Sequence, residues 1–191
     1  LRELLVKKVV RKIICPHVLT MTATPIPRTV ALTFYGDLDL STLNELPLGR
    51  QKITTWIVPS NKREGAYKWI DSQITSHQSQ VFIVCPLIEE SESETLKDIR
   101  SVTKEYRNLK KIFDKRKLGL LHGRLKMEEK NKVVNDFRSS KLDIMIATPV
   151  VEVGIDIPNA TIMVIEAADR FGLAQLHQLR GRVGRSDKKS Y

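Results

Sequence analysis

Near its C-terminal end the chain reads Gln178-Leu179-Arg180-Gly181-Arg182-Val183-Gly184-Arg185. Arg182 and Arg185 each directly follow a glycine. Glycine lets the backbone turn tightly and come close to a partner. The planar guanidinium fork binds phosphate oxygens in a bidentate manner. Two such groups on one turn suit an arginine-finger role, in which charge is neutralised on a phosphoryl group during transfer. A solvated basic turn is the plainer reading of the same string, and the company it keeps weighs against that.

Three other stretches carry chemistry at the same kind of place. Thr22-Ala23-Thr24-Pro25 follows an apolar run that predicts a buried strand over residues 17–22. Leu120-Leu121-His122-Gly123 closes a second predicted strand. Ala147-Thr148-Pro149 ends a third and leads into Val151-Glu152-Val153-Gly154-Ile155-Asp156-Ile157-Pro158. Each motif is placed just beyond the carboxyl end of a strand, where open α/β sheets bind their ligands. Thr148 and Thr22 offer a hydroxyl and a backbone N–H of the kind that contacts phosphates, or else they cap helices. Asp156 can accept from a ribose hydroxyl beside Gly154, or it can simply order the Asp-Ile-Pro turn. His122, Gly123 and Arg124 form either a further backbone-contacting turn or a structural strand end.

In this order the four stretches resemble motifs III to VI of superfamily 2 helicases. Met21-Thr22-Ala23-Thr24-Pro25-Ile26-Pro27-Arg28-Thr29, Tyr35-Gly36-Asp37-Leu38-Asp39 and Glu45-Leu46-Pro47 are similar to the RecG family of bacterial branched-DNA helicases. Cys85-Pro86-Leu87-Ile88-Glu89-Glu90-Ser91 fits the same family. The transcription-repair coupling translocase shares much of the first string and stands as an alternative, as does a non-catalytic nucleic-acid-binding module. The resemblance implies a RecA-like helicase C-terminal lobe, an α/β fold with a mostly parallel sheet flanked by helices. It places Arg182 and Arg185 as catalytic fingers on ATP, with Gln178, Gly154 and Asp156 also on the nucleotide. It makes Thr22, Ala23 and Thr24 couplers of ATP state to lobe movement, and gives DNA contacts to Thr148, His122, Gly123 and Arg124. ATP and Mg²⁺ are the implied cofactors and branched DNA the implied partner. The implied parent is a monomer in the bacterial cytoplasm.

The elements that must position these residues follow a strand–helix rhythm, which argues for a parallel sheet. Strands are expected over residues 53–58, 80–85, 118–122, 142–147 and 161–166. Between them, Ala66, Ile70 and Ile74 mark one helix face. Leu96, Ile99, Val102, Tyr106, Leu109 and Phe113 mark a long amphipathic helix. Met127, Val133, Val134 and Phe137 line another, and a last helix runs through residues 173–179. Pro47 and Gly49 punctuate the pattern, so residues 1–46 are expected to be the end of a first lobe with its linker, 47–185 the second lobe, and 186–191 the start of a C-terminal extension. The chain opens on helical spacing without an initiator Met, as expected of a piece of a longer protein.

No G-x-x-x-x-G-K-[ST] phosphate loop occurs in the 191 residues, and no Asp-Glu pair follows a strand to hold Mg²⁺. In the resembled family both belong to the first lobe, so ATP and Mg²⁺ are expected to be held mainly there and this chain is expected to be inactive alone. At 41% hydrophobic, with 9 glycines and 8 prolines, the composition is that of a folded protein rather than a disordered one. No apolar run has the roughly 18 residues that read as a membrane span. Cys15 and Cys85 make neither a zinc site nor a disulfide framework. The net charge of +10 is concentrated in residues 97–141, where 15 basic side chains face 6 acidic ones. That block suits a polyanion or simply a solvated face. Trp56 and Trp69 are expected in the core or an interface rather than as platforms for bases.

Overall fold

The computed structural model describes residues 51–86, 94–149, 157 and 159–191, with Leu19, Met21 and Ser41 as isolated positions. The chain divides into two compact units, Leu1–Leu40 and Ser41–Tyr191. In the first unit Leu19 and Met21 are both 82% exposed, which corrects the expectation that they lie in a buried strand. A unit that small has little surface with which to cover an apolar side chain.

Among the described residues of the second unit, four strands make a sheet: β1 (Gln80–Val84), β2 (Leu118–Leu121), β3 (Ile144–Ala147) and β4 (Ala160–Ile165). Their order is β2-β3-β1-β4 and every pairing is parallel. Helices α1 (Arg63–His77), α2 (Glu94–Ile112), α3 (Met127–Arg138) and α4 (Leu173–Arg180) complete the unit. Parallel strands need helical crossovers, and helices on both faces make the strands apolar on both sides. Accordingly β1 and β3 are buried at every position.

Alternation along the strands divides the core. Val81, Ile83, Ile144, Ile146 and Ile162 pack with Tyr67, Ile70 and Ile74 of α1 and with Val102 and Leu109 of α2. On the other face Phe82, Leu121, Met145 and Ala147 pack with Phe137 of α3 and with Val183. Val84 meets Phe171 and Leu179 there. Fully burying an apolar side chain of this size contributes ~1.5–3 kcal/mol relative to leaving it exposed. Phe82 and Phe137 meet edge to face at 5.0 Å. Gln80 ties that helix to the sheet, its Nε2 donating to the Phe137 carbonyl at 2.6 Å and the Leu142 carbonyl at 2.8 Å.

Two expectations are corrected. Residues 53–58 form no strand. Thr54 N–H donates to the Ser190 carbonyl at 3.0 Å, but Ile57 is 97% exposed. The place beside β4 is taken by the last residue, with Tyr191 N–H donating to Thr161 O at 2.8 Å and Met163 N–H to Tyr191 O at 2.9 Å. Met127 opens α3 but is 70% exposed, because it lies in the first turn, away from the Val133–Phe137 contact with the sheet. Trp56 and Trp69 pack against each other at 5.4 Å and against Tyr191 at 5.2 and 5.0 Å. Trp56 stacks on Tyr191 yet stays 57% exposed, so it lies at the margin and not in the core.

Candidate functional site: the carboxyl edge and the arginine turn

Because all four strands run the same way, their carboxyl ends share one edge of the sheet. Each hands on to one residue of a common row: Cys85, His122, Thr148 and Glu166. The ladder continues one step into this row. Cys85 N–H donates to Ala147 O at 2.9 Å, Thr148 N–H to Leu121 O at 3.2 Å, and Glu166 N–H to Val84 O at 2.9 Å. Two of the candidate phosphate-contacting residues, His122 and Thr148, are therefore neighbours on adjacent strand ends. Thr148 spends its N–H on this ladder, which leaves only its buried hydroxyl without a partner among the described residues, contrary to the expectation that both groups would be offered to a phosphate. That side chain is 3% exposed, and its Oγ1 has no hydrogen-bond partner among the described residues.

His122 opens a turn that closes with Leu125 N–H donating to its carbonyl at 3.3 Å. Gly123 and Arg124, at the tip, are exposed. Helix α3 starts immediately afterwards, the Lys126 N–H donating to the Glu129 carboxylate at 2.9 Å as its N-terminal cap. Lys130, one turn along, donates from Nζ to the Gly123 carbonyl at 2.7 Å and so holds the tip onto the helix. Burial, with Lys130 and Arg124 adding to it, holds the His122 imidazole below the ordinary histidine value. Neutral histidine, two cations and a helix N-terminus together favour an anion at this corner.

At the other end of the row Glu166 belongs to a network that sequence reasoning missed. Arg63 Nε donates to Tyr67 Oη at 2.7 Å, and the Tyr67 hydroxyl donates to Glu166 at 3.0 Å. The Arg63 guanidinium also pairs with Glu166 at 2.9 Å and Glu105 at 3.1 Å. The start of α1, the middle of α2 and the end of β4 are thus joined. Burial, reinforced by Glu105 and Glu166, pushes the neighbouring Cys85 thiol up to about 12, which makes it a packing group rather than a nucleophile. Tyr67 lies at i, i+3, i+7 with Ile70 and Ile74, a spacing from which its burial was readable.

The arginine turn is built on different elements. Gly172 N–H donates to the Gln175 side chain at 3.2 Å and starts α4, which carries half-buried Gln178 and ends as Gly181 N–H donates to His177 O at 3.1 Å. Arg182 follows half-buried, Val183 is wholly buried, and Arg185 is exposed with Nε donating to Gly181 O at 3.1 Å. Gly184 adopts φ +69, a left-handed conformation that glycine takes without strain. Thr22, Ala23, Thr24, Gly154 and Asp156 lie outside the described residues.

A parallel sheet covered on both faces, with a phosphate-suited carboxyl edge and an arginine turn, belongs to a defined class. Residues 65–187 match the helicase conserved C-terminal domain family, and the chain belongs to it. Within that class its resemblance is to RecG. It is 52% identical over 177 residues to the ATP-dependent DNA helicase RecG of Synechocystis sp. (strain ATCC 27184 / PCC 6803 / Kazusa), matching 92% of this chain and 21% of that protein. It is 50% identical over 190 residues to RecG of Aquifex aeolicus (strain VF5), matching 100% of this chain and 23% of that protein. A solved structure of RecG bound to a three-way DNA junction superposes with a TM-score of 0.67 at 47% identity, covering 85% of this chain and 20% of that one. The chain thus spans only about a fifth of the length of these relatives. Among the described residues no helix is long and apolar enough to cross a membrane.

Proposed function

We propose that this chain is the nucleotide-closing lobe of an ATP-dependent, double-strand-tracking DNA helicase that remodels branched DNA such as stalled forks and Holliday junctions. The reading is carried by the likeness to a RecG bound to a three-way junction, at 47% identity over 85% of the chain. The geometry of the second unit is consistent with it. Residues 47–185 act as the second motor lobe, and residues 1–46 supply the end of the first lobe and its linker. ATP binds chiefly to the companion lobe, and Arg182 and Arg185 close over its phosphates, assisted by Gln178, Gly154 and Asp156. Thr148 and the turn of His122, Gly123 and Arg124 grip the DNA backbone, while Thr22, Ala23 and Thr24 relay the nucleotide state. Closure and release then convert alternating grip into directed movement.

Mg²⁺ accompanies ATP in this chemistry, neutralising phosphate charge. Among the described residues no group of three or more His, Cys, Asp and Glu side chains has the arrangement of a metal site. Any Mg²⁺ would be held mainly by the companion lobe, together with the ATP phosphates. The working protein is a monomer in the bacterial cytoplasm.

The direct test is ATP turnover by the 191-residue chain, with and without a three-way DNA junction at low salt. No turnover above background is expected under either condition, because the phosphate loop is absent from the sequence. Junction-stimulated turnover would mean that a complete nucleotide site lies within this chain, and the half-site reading would be wrong.

A further inference from the structure

The arginine turn is held from outside as well as by its own hydrogen bonds. Val183 is wholly buried in the core cluster that holds Phe82, Met145 and Ala147 and so ties the turn to the sheet. Gly184, also buried, lies against Ile53. A Cβ built on Gly184 would stand 2.8 Å from Ile53 Cγ1, 3.1 Å from Ile53 Cδ1 and 3.6 Å from the Ser190 side chain. Ile53 is itself fixed. It packs against the same core cluster, and the next residue, Thr54, donates its N–H to Ser190 O at 3.0 Å. Ser190 in turn precedes Tyr191, which is bonded on both sides to β4, at 2.8 and 2.9 Å. A chain of contacts therefore runs from β4 through the C-terminal residues and Ile53 to the one glycine lying between Arg182 and Arg185.

From this clamp we infer that Ile53 is a positioning residue for the arginine turn. Its Cγ1 is the stop against which Gly184 rests, and it sets how far Arg182 and Arg185 project. The inference rests on the finger role given to those arginines above. It assigns a function to residues 51–54, which carry no helicase motif. The contact leaves no space at residue 184 for any side chain, and the φ there disfavours one independently. Fingers act on charge that develops in the transition state, so a displaced turn weakens transition-state binding while ground-state binding is kept. A displacement on the order of 1 Å can cost as much as about 100-fold.

The test compares the affinities of ADP and of ADP with aluminium fluoride, a mimic of the phosphoryl group in transfer, using a full-length protein that contains this chain and is bound to a three-way junction. Ile53→Ala is expected to weaken binding of the mimic by about tenfold or more while ADP binding changes less than about twofold. Gly184→Ala should do the same by pushing the turn away from Ile53. Ile53→Val keeps Cγ1 and should stay near the parent. A loss of folded molecules would alter the amount bound but not this ratio of affinities. Arg182→Ala separates the two layers of the account. If it leaves the ratio unchanged, the finger reading itself fails. If Arg182→Ala lowers the ratio while folded Gly184→Ala and Ile53→Ala leave it unchanged, the positioning role is overturned. If Ile53→Ala does not fold, Ile53→Leu, which places two methyls beyond the γ carbon that meets Gly184, decides in the same way.

Discussion

His122 shows how a single side chain at the strand edge makes the lobe sensitive to pH. Burial is the main cause of its lowered proton affinity, with Lys130 and then Arg124 acting in the same direction and Glu129 opposing. In the unfolded chain a histidine takes up its proton near pH 6.5, whereas in the folded lobe it does so only at lower pH. Between those two values the unfolded state binds more protons, so stability falls as the pH drops from about 6.5 through the folded value. His122→Gln removes this contribution. Thermal unfolding of the chain at pH 7 and pH 5 should show a smaller loss of Tm in the variant than in the parent. Identical losses would mean that His122 keeps its ordinary value in the fold. The residue was readable from sequence as a candidate only by its place at a strand end. Its lowered proton affinity comes first from burial and then from Lys130, one turn into the next helix, neither of which the local string displays.

At the scale of elements, β2 and α3 are held at contact distance by the absence of a side chain. A Cβ on Gly119 would meet Leu142 Cδ1 at 2.6 Å and Val133 Cγ1 at 3.2 Å. Gly119→Val should therefore destabilise the chain by about 1–3 kcal/mol through overpacking. Gly119→Ala should cost less, because the Leu142 methyl is the far end of a flexible side chain. Urea unfolding midpoints check the order, and a neutral Gly119→Val would show that α3 lies farther from the strand. The strands themselves were legible, because the largely apolar stretches at residues 80–85, 118–122, 142–147 and 161–166 are what a sheet covered on both faces requires. Residues 53–58 have the same apolar and β-branched content yet form no strand. Strand formation needs a free neighbouring edge, and Tyr191, far away in sequence, already sits beside β4. The Arg63–Tyr67–Glu166 network was equally hidden, since it joins residues 99 positions apart. The turn that carries Arg182 and Arg185 was marked in the sequence by Gly181 and Gly184. Ile53, which supports them, could not, because its contact exists only after the sheet has formed.

For the protein as a whole, the proposed function gives the lobe two working places built on separate elements. The carboxyl edge, with His122 and Thr148 on adjacent strands, suits a phosphate backbone. The turn after α4 presents Arg182 and Arg185 and is fixed by Val183 and Gly184. In a motor of two lobes the second place is productive only when it meets a nucleotide held across the cleft, so its removal should cost catalysis and leave DNA binding intact. The account is tested most directly by junction-stimulated ATPase of a full-length protein containing this chain, with Arg182→Ala compared against the parent. A finger supplies on the order of 10³–10⁵ in rate. The expected result is a fall of that size in kcat with junction affinity unchanged. A variant whose kcat stays within about twofold of the parent would contradict the finger role, and with it the central claim that this lobe completes the ATPase.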